Sequence, residues 1–283
     1  MFSRKKAGSI FRVMFFTIVE LLVVIGIIVI LAGILLPALV KSKDKGKSAS
    51  CMSNLKQLAL ANTQYSNDFS TYVSYNPGPV SGNDARWHGV RKDSSSDFDP
   101  SKGPLVSYLG ESGKVKACPG MQDFASGFEA GCGGYGYNEA GVGSTKYLIG
   151  FSWPDYSLVT GMKPEKIENP ASTVMFADAA YLNSGVLIEY SSVEAPFALW
   201  GATTDKLRTK KPTSSYSTAT VHFRHGRSAN ISWVDGHADS RKMTFSHTSG
   251  ISTIAELENV NIGNFGPEDN SLYDPWNDNI PES

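Results

Sequence analysis

The sequence lacks the short motifs that most often identify an enzyme. Its 283 residues contain no GxxxxGKS/T phosphate loop, no GxSxG nucleophile motif and no HExxH pair of histidines. Cysteine is also scarce, and the three cysteines lack the close Cys/Cys or Cys/His spacing of zinc sites. We therefore expect a protein that is not an enzyme and that carries no metal or other cofactor.

The chain has no overall positive charge, because 26 Lys and Arg residues are matched by 27 Asp and Glu residues. Without a basic field to attract phosphates, we expect no nucleic-acid partner. The charges are nevertheless unevenly distributed. Residues 1–47 contain eight basic and two acidic residues, whereas no Lys or Arg follows Lys242. The sequence thus joins a basic N-terminus to an acidic remainder.

The most distinctive segment is a long apolar run near the N-terminus. From Phe15 to Leu39 the only polar side chains are those of Thr17 and Glu20. A helix of about 20 apolar residues is long enough to cross the hydrocarbon core of a membrane. A cleavable secretory signal has a shorter apolar region, of about 7–15 residues. The sequence therefore predicts one membrane-spanning helix, and the basic residues before it favour a cytoplasmic N-terminus.

Glu20 is a carboxylate near the start of this predicted span. On physical grounds alone it has two interpretations. It is either an acid stabilised by the positive end of the helix dipole, or a functional group, because ionisable side chains inside a membrane are costly.

The segment FTIVELLVVIGIIVILAGILLPAL, residues 16–39, resembles the N-terminal signature of type IV pilins and type II secretion pseudopilins. The resemblance implies that a prepilin peptidase cuts between Phe15 and Phe16 and that the new amine of Phe16 is methylated. It implies that Glu20 is needed for filament assembly. It also implies that Pro37 kinks a long helix, since proline removes a backbone donor. The family usually has Gly before the cut, where this chain has Phe15.

This resemblance leads to a functional expectation. The chain would be a structural subunit that assembles through its N-terminal helix into a type IV pilus or a type II secretion pseudopilus. Its partners would be further copies of itself, other pilin-like subunits, the prepilin peptidase and methyltransferase, and the assembly machinery. It would cross the inner membrane once, with its body in the periplasm or at the cell surface. In a stack of helices, Glu20 of one subunit would neutralise the amine of Phe16 on a neighbour.

Four further segments resemble a large bacterial subgroup of prepilin-like proteins with a C-terminal processing-associated domain. They are SCMSNLKQLALA at residues 50–61, Cys118-Pro119, ENPASTVMFAD at residues 168–178, and His225 followed after nine residues by Asp235-Gly236. This second resemblance indicates a class of protein and no particular biochemical task.

The residues after Pro37 predict a stalk and a body, and hence an α+β, pilin-like fold: a long N-terminal helix packed on an antiparallel β-sheet. Apolar residues at steps of three or four continue the helix as an amphipathic stretch. Its predicted buried face contains Met52, Leu55, Ala59, Asn62, Tyr65 and Phe69. We expect the chain to begin with a leader peptide, residues 1–15. A long helix, residues 16–68, follows and consists of a membrane anchor (16–39) and an amphipathic part (40–68). The remaining residues, 69–283, form the body, which includes a hairpin region (220–242) and an acidic tail (256–283).

The dipeptide Asp235-Gly236 is a strong signal for a two-residue hairpin turn. Such a turn pairs Ser232 with Asp239. It also separates His225 from Asp235 by about six residues of strand, roughly 20 Å. We therefore interpret His225, Asp235 and Gly236 as structural residues that do not share a site.

An earlier turn at residues 226–228 would pair His222 with Ser232 on the preceding strand. Alternation then places Ile231 and Trp233 on the core face and the intervening polar side chains on the opposite face. In this register the only polar cluster is His222 with Asp239.

The cysteines suggest a disulfide if the body lies outside the cytoplasm, where thiols tend to oxidise. Cys118 and Cys132 close a short loop, and Cys51 with Cys118 is the other pairing. Since three cysteines leave one unpaired, we expect one bridge, with Cys118–Cys132 preferred.

Two further features leave alternatives open. Asp269, Asp274 and Asp278 offer oxygen ligands of the kind that calcium takes, and some major pseudopilins hold calcium in a C-terminal loop. A solvated acidic tail is the simpler interpretation. The alternative function is a membrane-tethered binding module, for example for a polysaccharide, because five tryptophans could stack on sugars.

Overall fold

The computed structural model describes residues 17–77, 84–93, 95–110, 115–121, 124–145, 160–197 and 216–275. Phe15, Phe16 and Asp278 lie outside these residues, so the cleavage site, the methylation site and one candidate calcium ligand stay predictions. The chain divides into two units, Met1–Lys43 and Asp44–Ser283.

A single long helix, α1, runs from Ile18 to Phe69. It passes without interruption through Pro37 and Gly46, although proline and glycine both disfavour helix interiors. Helix α2 covers Ile254–Asn259 and begins with a capping box between Thr253 and Glu256. Within the described residues, short 3-10 helices occupy Pro100–Lys102, Val106–Tyr108 and Pro164–Lys166.

The strands of the described chain are short and pair antiparallel with one another. They are β1 (Ala85–Arg86), β2 (Gly89–Val90), β3 (Tyr135–Tyr137), β4 (Val174–Asp178), β5 (Tyr181–Asn183), β6 (Val186–Ile188), β7 (Val221–His222), β8 (Ser228–Trp233), β9 (Ala238–Lys242) and β10 (Ile262–Gly263). The central sheet has the order β3-β4-β8-β9, and the pairs β1-β2, β5-β6 and β7-β10 form smaller sheets. One long helix with antiparallel sheets is the α+β layout that the sequence predicts.

Both faces of the central sheet are buried at β3, β4 and β8, whereas the edge strand β9 is largely exposed. On one face Leu55 and Leu58 of α1 belong to the same apolar core as Tyr135, Tyr137 and Phe176. The other face carries a second core that includes Val174, Ile231, Trp233, Phe223 and Phe265. Because β8 alternates its side chains between the two faces, its apolar residues enter the second core and its intervening residues face the first.

The buried face of α1 only partly follows the predicted stripe. Leu55, Ala59 and Asn62 are buried as expected, but the side chain of Phe69 is 59% exposed. Cys51 is fully buried although periodicity did not select it. Cys51 lies four residues before Leu55, so it belongs to the same face of α1.

The hairpin between β8 and β9 is shifted by one residue from the predicted register. Ser232 pairs with Ala238, so the predicted pairing of Ser232 with Asp239 is wrong. The backbone N–H of Gly236 donates to the carbonyl of Trp233, and Gly236 has φ of +89°. The loop therefore has three residues and ends in a left-handed glycine, which is the commonest alternative to a two-residue turn.

The predicted pairing of His222 with Ser232 is also wrong, because β7 pairs with β10 and not with β8. The ring of His222 lies 3.0 Å from the carbonyl of Val260, and Asp239 accepts from the indole of Trp233. The expected cluster of His222 with Asp239 does not form.

The polar face of β8 is buried against α1. The amide of Asn230 donates to the carbonyl oxygen of Ser48 at 3.1 Å, and the side chain of Ser232 bonds to Phe176 of β4. The alternation of side chains along β8 correctly predicts which residues share a face, but both faces of this strand are buried.

The segment interpreted as an acidic tail is packed as far as residue 275. Leu257, Ile262, Phe265 and Tyr273 are buried there. The interpretation of residues 267–279 as a solvated tail is wrong at Asn270, Tyr273 and Asp274, which are buried.

Candidate functional site

The N-terminal part of α1 exposes an apolar surface, which we call the anchor helix (Ile18–Val40). Its large apolar side chains are all exposed, and Glu20 is its only charged residue. This helix is long and apolar enough to cross a membrane.

Glu20 forms a capping box with Thr17 at the start of the anchor helix. Its Oε2 atom accepts hydrogen bonds from the backbone N–H and the hydroxyl of Thr17, both at 2.8 Å. In return, the N–H of Glu20 donates to the hydroxyl of Thr17 at 3.1 Å. Such a box satisfies free donors at a helix start. Glu20 therefore has a local structural role, and a partner on another chain would have to compete with Thr17 for its carboxylate.

The second feature is a buried group of side chains whose types can bind a metal ion, which we call the Cys–Asp–His cluster: Cys51, Cys118, Asp178 and His225. Cys51 lies on α1, Cys118 on the loop before β3, Asp178 at the end of β4, and His225 in the turn between β7 and β8. One ligand atom from each residue lies within 4.8 Å of the others, and all four residues are buried.

The individual distances within this cluster are short. The thiol of Cys51 donates to Oδ1 of Asp178 at 2.9 Å. Sγ of Cys118 lies 3.4 Å from Nε2 of His225, and Nε2 lies 3.5 Å from Oδ2 of Asp178. The four side chains thus surround one common point.

Neighbouring groups hold the cluster in place. Arg224 donates to Oδ1 of Asp178 at 3.1 Å, and the backbone N–H of Asn230 donates to Oδ2 at 2.8 Å. The N–H of Gly120 donates to the sulfur of Cys118 at 3.4 Å. The neighbouring Cys51 side chain, together with His225 and Arg224, lowers the pKa of Cys118 to about 5. Burial, by contrast, raises the pKa of Cys51.

The predicted disulfide between Cys118 and Cys132 is absent, and all three cysteines are free thiols. The thiol of Cys132 donates to Oε2 of Glu189 at 3.3 Å, whereas Cys118 lies with Cys51 in the cluster. The short loop between Cys118 and Cys132 favoured this pairing in the sequence. In the fold, however, the side chain of Cys132 points toward Glu189 and not toward Cys118.

His225 and Asp235, which are separated by nine residues in the sequence, contact different groups. His225 lies in the Cys–Asp–His cluster, whereas Oδ1 of Asp235 accepts from the backbone N–H of His237 at 3.0 Å. Asp235 and Gly236 therefore shape the hairpin turn, and His225 belongs to a polar site that the sequence reasoning missed.

The cluster was missed because its members come from four distant segments and no pair has the spacing of a zinc motif. A signal was nevertheless present. Each of the four segments that carry the second resemblance contributes one residue to the cluster.

The acidic candidates for calcium do not gather into a site in the described part of the chain. Oδ1 of Asp269 accepts from the backbone N–H of Ser271, and Asp274 is buried. Neither joins a group of three or more potential ligands among the described residues.

Comparison of the chain with models of protein families, with curated proteins and with solved structures gave no match.

Proposed function

We propose that this chain is a pilin-like structural subunit that assembles through its anchor helix into a type IV pilus or a type II secretion pseudopilus. The observation that carries the proposal is the anchor helix itself, an exposed apolar surface with a single carboxylate at Glu20. Such a surface needs a covering, because large exposed apolar patches mark membrane or protein contacts.

A membrane covers this surface before assembly, and the helices of neighbouring subunits cover it within a filament. In this account the chain crosses the inner membrane once, with its N-terminus in the cytoplasm and its body in the periplasm or at the cell surface. Glu20 then exchanges its bond to Thr17 for the methylated amine of Phe16 on a neighbour. A buried charge is tolerable only when it is paired, so the carboxylate selects a fixed stagger between helices.

The test is to shear surface fibres from cells that produce the chain and to identify their protein by mass spectrometry. We expect fibres that contain this chain, with a mature N-terminus at a methylated Phe16. A chain that stays in the membrane fraction and retains Met1–Phe15 would contradict the proposal.

A membrane-tethered binding module is the second candidate, and one surface of the body favours it. The rings of Tyr181 and Tyr190 stack with centroids 5.2 Å apart, and the ring of Phe128 lies edge-on to both. Phe128 is 47% exposed, so an aromatic face is open to ligands such as sugars. Retention of the detergent-solubilised chain on immobilised polysaccharides, reduced by Phe128→Ala and not by Phe69→Ala, would support this function over assembly.

A further inference from the structure

We propose that the Cys–Asp–His cluster binds one zinc ion as a structural site of the body. Two cysteines, a histidine and an aspartate are all established zinc ligands, and four protein ligands leave no open position for a substrate. The inference concerns the body alone and does not depend on filament assembly.

Two contacts in the cluster have the spacing that a tetrahedral ion requires. Zinc bonds of about 2.0–2.3 Å keep the ligand atoms of such a site roughly 3.3–3.8 Å apart. The contacts of Nε2 of His225 with Sγ of Cys118, at 3.4 Å, and with Oδ2 of Asp178, at 3.5 Å, lie in this range. The 2.9 Å contact from Cys51 to Asp178 is a thiol–carboxylate hydrogen bond. Zinc replaces that bond when the thiols of Cys51 and Cys118 release their protons to solvent.

The donor types also select the metal. Calcium and magnesium take oxygen ligands, so two thiols and an imidazole exclude them. Iron–sulfur clusters usually need four cysteine ligands, and this site supplies two. Thiolate and imidazole ligands in a four-coordinate site are typical of zinc.

The surroundings supply the outer hydrogen bonds that metal sites usually have. Arg224 and the N–H of Asn230 hold the carboxylate of Asp178, and the N–H of Gly120 points at the sulfur of Cys118. Two thiolates and one carboxylate carry three negative charges, which the zinc ion and the Arg224 guanidinium together neutralise. The buried cluster, together with Arg224 and bound zinc, therefore has no net charge.

The position of the cluster explains what the metal would do. Its ligands come from α1, the loop before β3, the end of β4 and the turn before β8. One ion would thus tie α1 to the central sheet within the Asp44–Ser283 unit, and its binding energy would contribute to folding.

The experiment uses the full chain, purified in detergent under reducing conditions, treated with a chelator and then incubated with Zn²⁺ alone. After removal of free metal, we expect about one zinc per chain by elemental analysis. The Cys118→Ser and His225→Ala variants should lose most of this zinc. Cys132→Ser is the matched control, since it removes a buried thiol that lies outside the cluster, and it should retain the metal.

Because a ligand variant can fail to fold, a second measurement uses only the unaltered chain. Co²⁺ added to the reduced, metal-free protein should give a thiolate-to-cobalt charge-transfer band that saturates at about one equivalent. Absence of that band overturns the proposal. So does zinc retained by Cys118→Ser or zinc lost equally from Cys132→Ser.

Discussion

The side-chain amide of Asn62 donates to the hydroxyl of Tyr137 at 3.0 Å, and this bond joins α1 to the central sheet inside the core. The same side chain accepts from the backbone N–H of Val73 at 2.9 Å, while the Tyr137 hydroxyl donates to the carbonyl of Val73. Asn62 is fully buried, and its side-chain oxygen is the acceptor for the buried backbone N–H of Val73.

Asn62→Ala should therefore lower the free energy of unfolding by about 1–3 kcal/mol, because it leaves the N–H of Val73 buried without an acceptor. Gln64→Ala, an exposed change on the same helix, is the matched control and should alter it by about 0.5 kcal/mol or less. Denaturant unfolding of the detergent-solubilised chain measures both. Equal effects would mean that the bond between α1 and the sheet adds no stability.

Trp233→Ala should destabilise the body by about 3–5 kcal/mol, as expected for truncation of a buried aromatic residue. The indole is 2% exposed, packs edge-on against Phe265 and donates to Asp239 at 3.0 Å. Phe69→Ala removes an exposed ring and should cost about 1 kcal/mol or less. Thermal unfolding measures the stability of both variants. Similar losses of stability in Trp233→Ala and Phe69→Ala would contradict the burial of Trp233 in the second core.

His88 lies in a buried polar group with Arg86 and Glu129. Arg86 contacts Glu129 at 2.9 Å, and the ring of His88 lies 3.7 Å from the same carboxylate. Burial lowers the pKa of His88 below its ordinary value of 6.5, although Glu129 acts in the opposite direction. The folded state thus favours the neutral ring.

This shift predicts how stability changes with pH. As the pH falls below 6.5, the unfolded chain binds a proton at His88 that the folded chain resists, so folding becomes less favourable. We expect the unfolding midpoint to decline between about pH 7.5 and 5.5, and His88→Gln to reduce that decline. A pH profile unchanged by His88→Gln would show that His88 already titrates normally in the folded state.

The sequence was informative where local patterns decide the structure. The apolar run predicted the anchor helix, and alternation placed Ile231 and Trp233 on the core face, where β8 carries both residues into the second core. The hairpin register was wrong by one residue because Asp-Gly fits both a two-residue turn and the end of a three-residue loop.

The cluster and the partners of the cysteines could not be predicted in this way. Cys51 and His225 meet only because α1 packs on the sheet beside the turn before β8, and no local spacing encodes that contact. For the same reason, the polar stripe of β8 was expected to lie outside the core, whereas α1 covers it.

The assembly role of Glu20 has to be separated from its role as a helix cap. Glu20→Leu removes both, whereas Thr17→Ala removes the cap and keeps the carboxylate. Both variants should insert into the membrane, because loss of a charge from the span favours insertion and loss of one hydroxyl hardly affects it.

The most direct measurement is the fraction of the chain found in sheared surface fibres, compared between the unaltered chain, Glu20→Leu and Thr17→Ala at equal membrane levels. We expect Thr17→Ala to enter fibres about as well as the unaltered chain, and Glu20→Leu to stay in the membrane. Incorporation of Glu20→Leu at the unaltered level would contradict the central claim that the anchor helix assembles through this carboxylate.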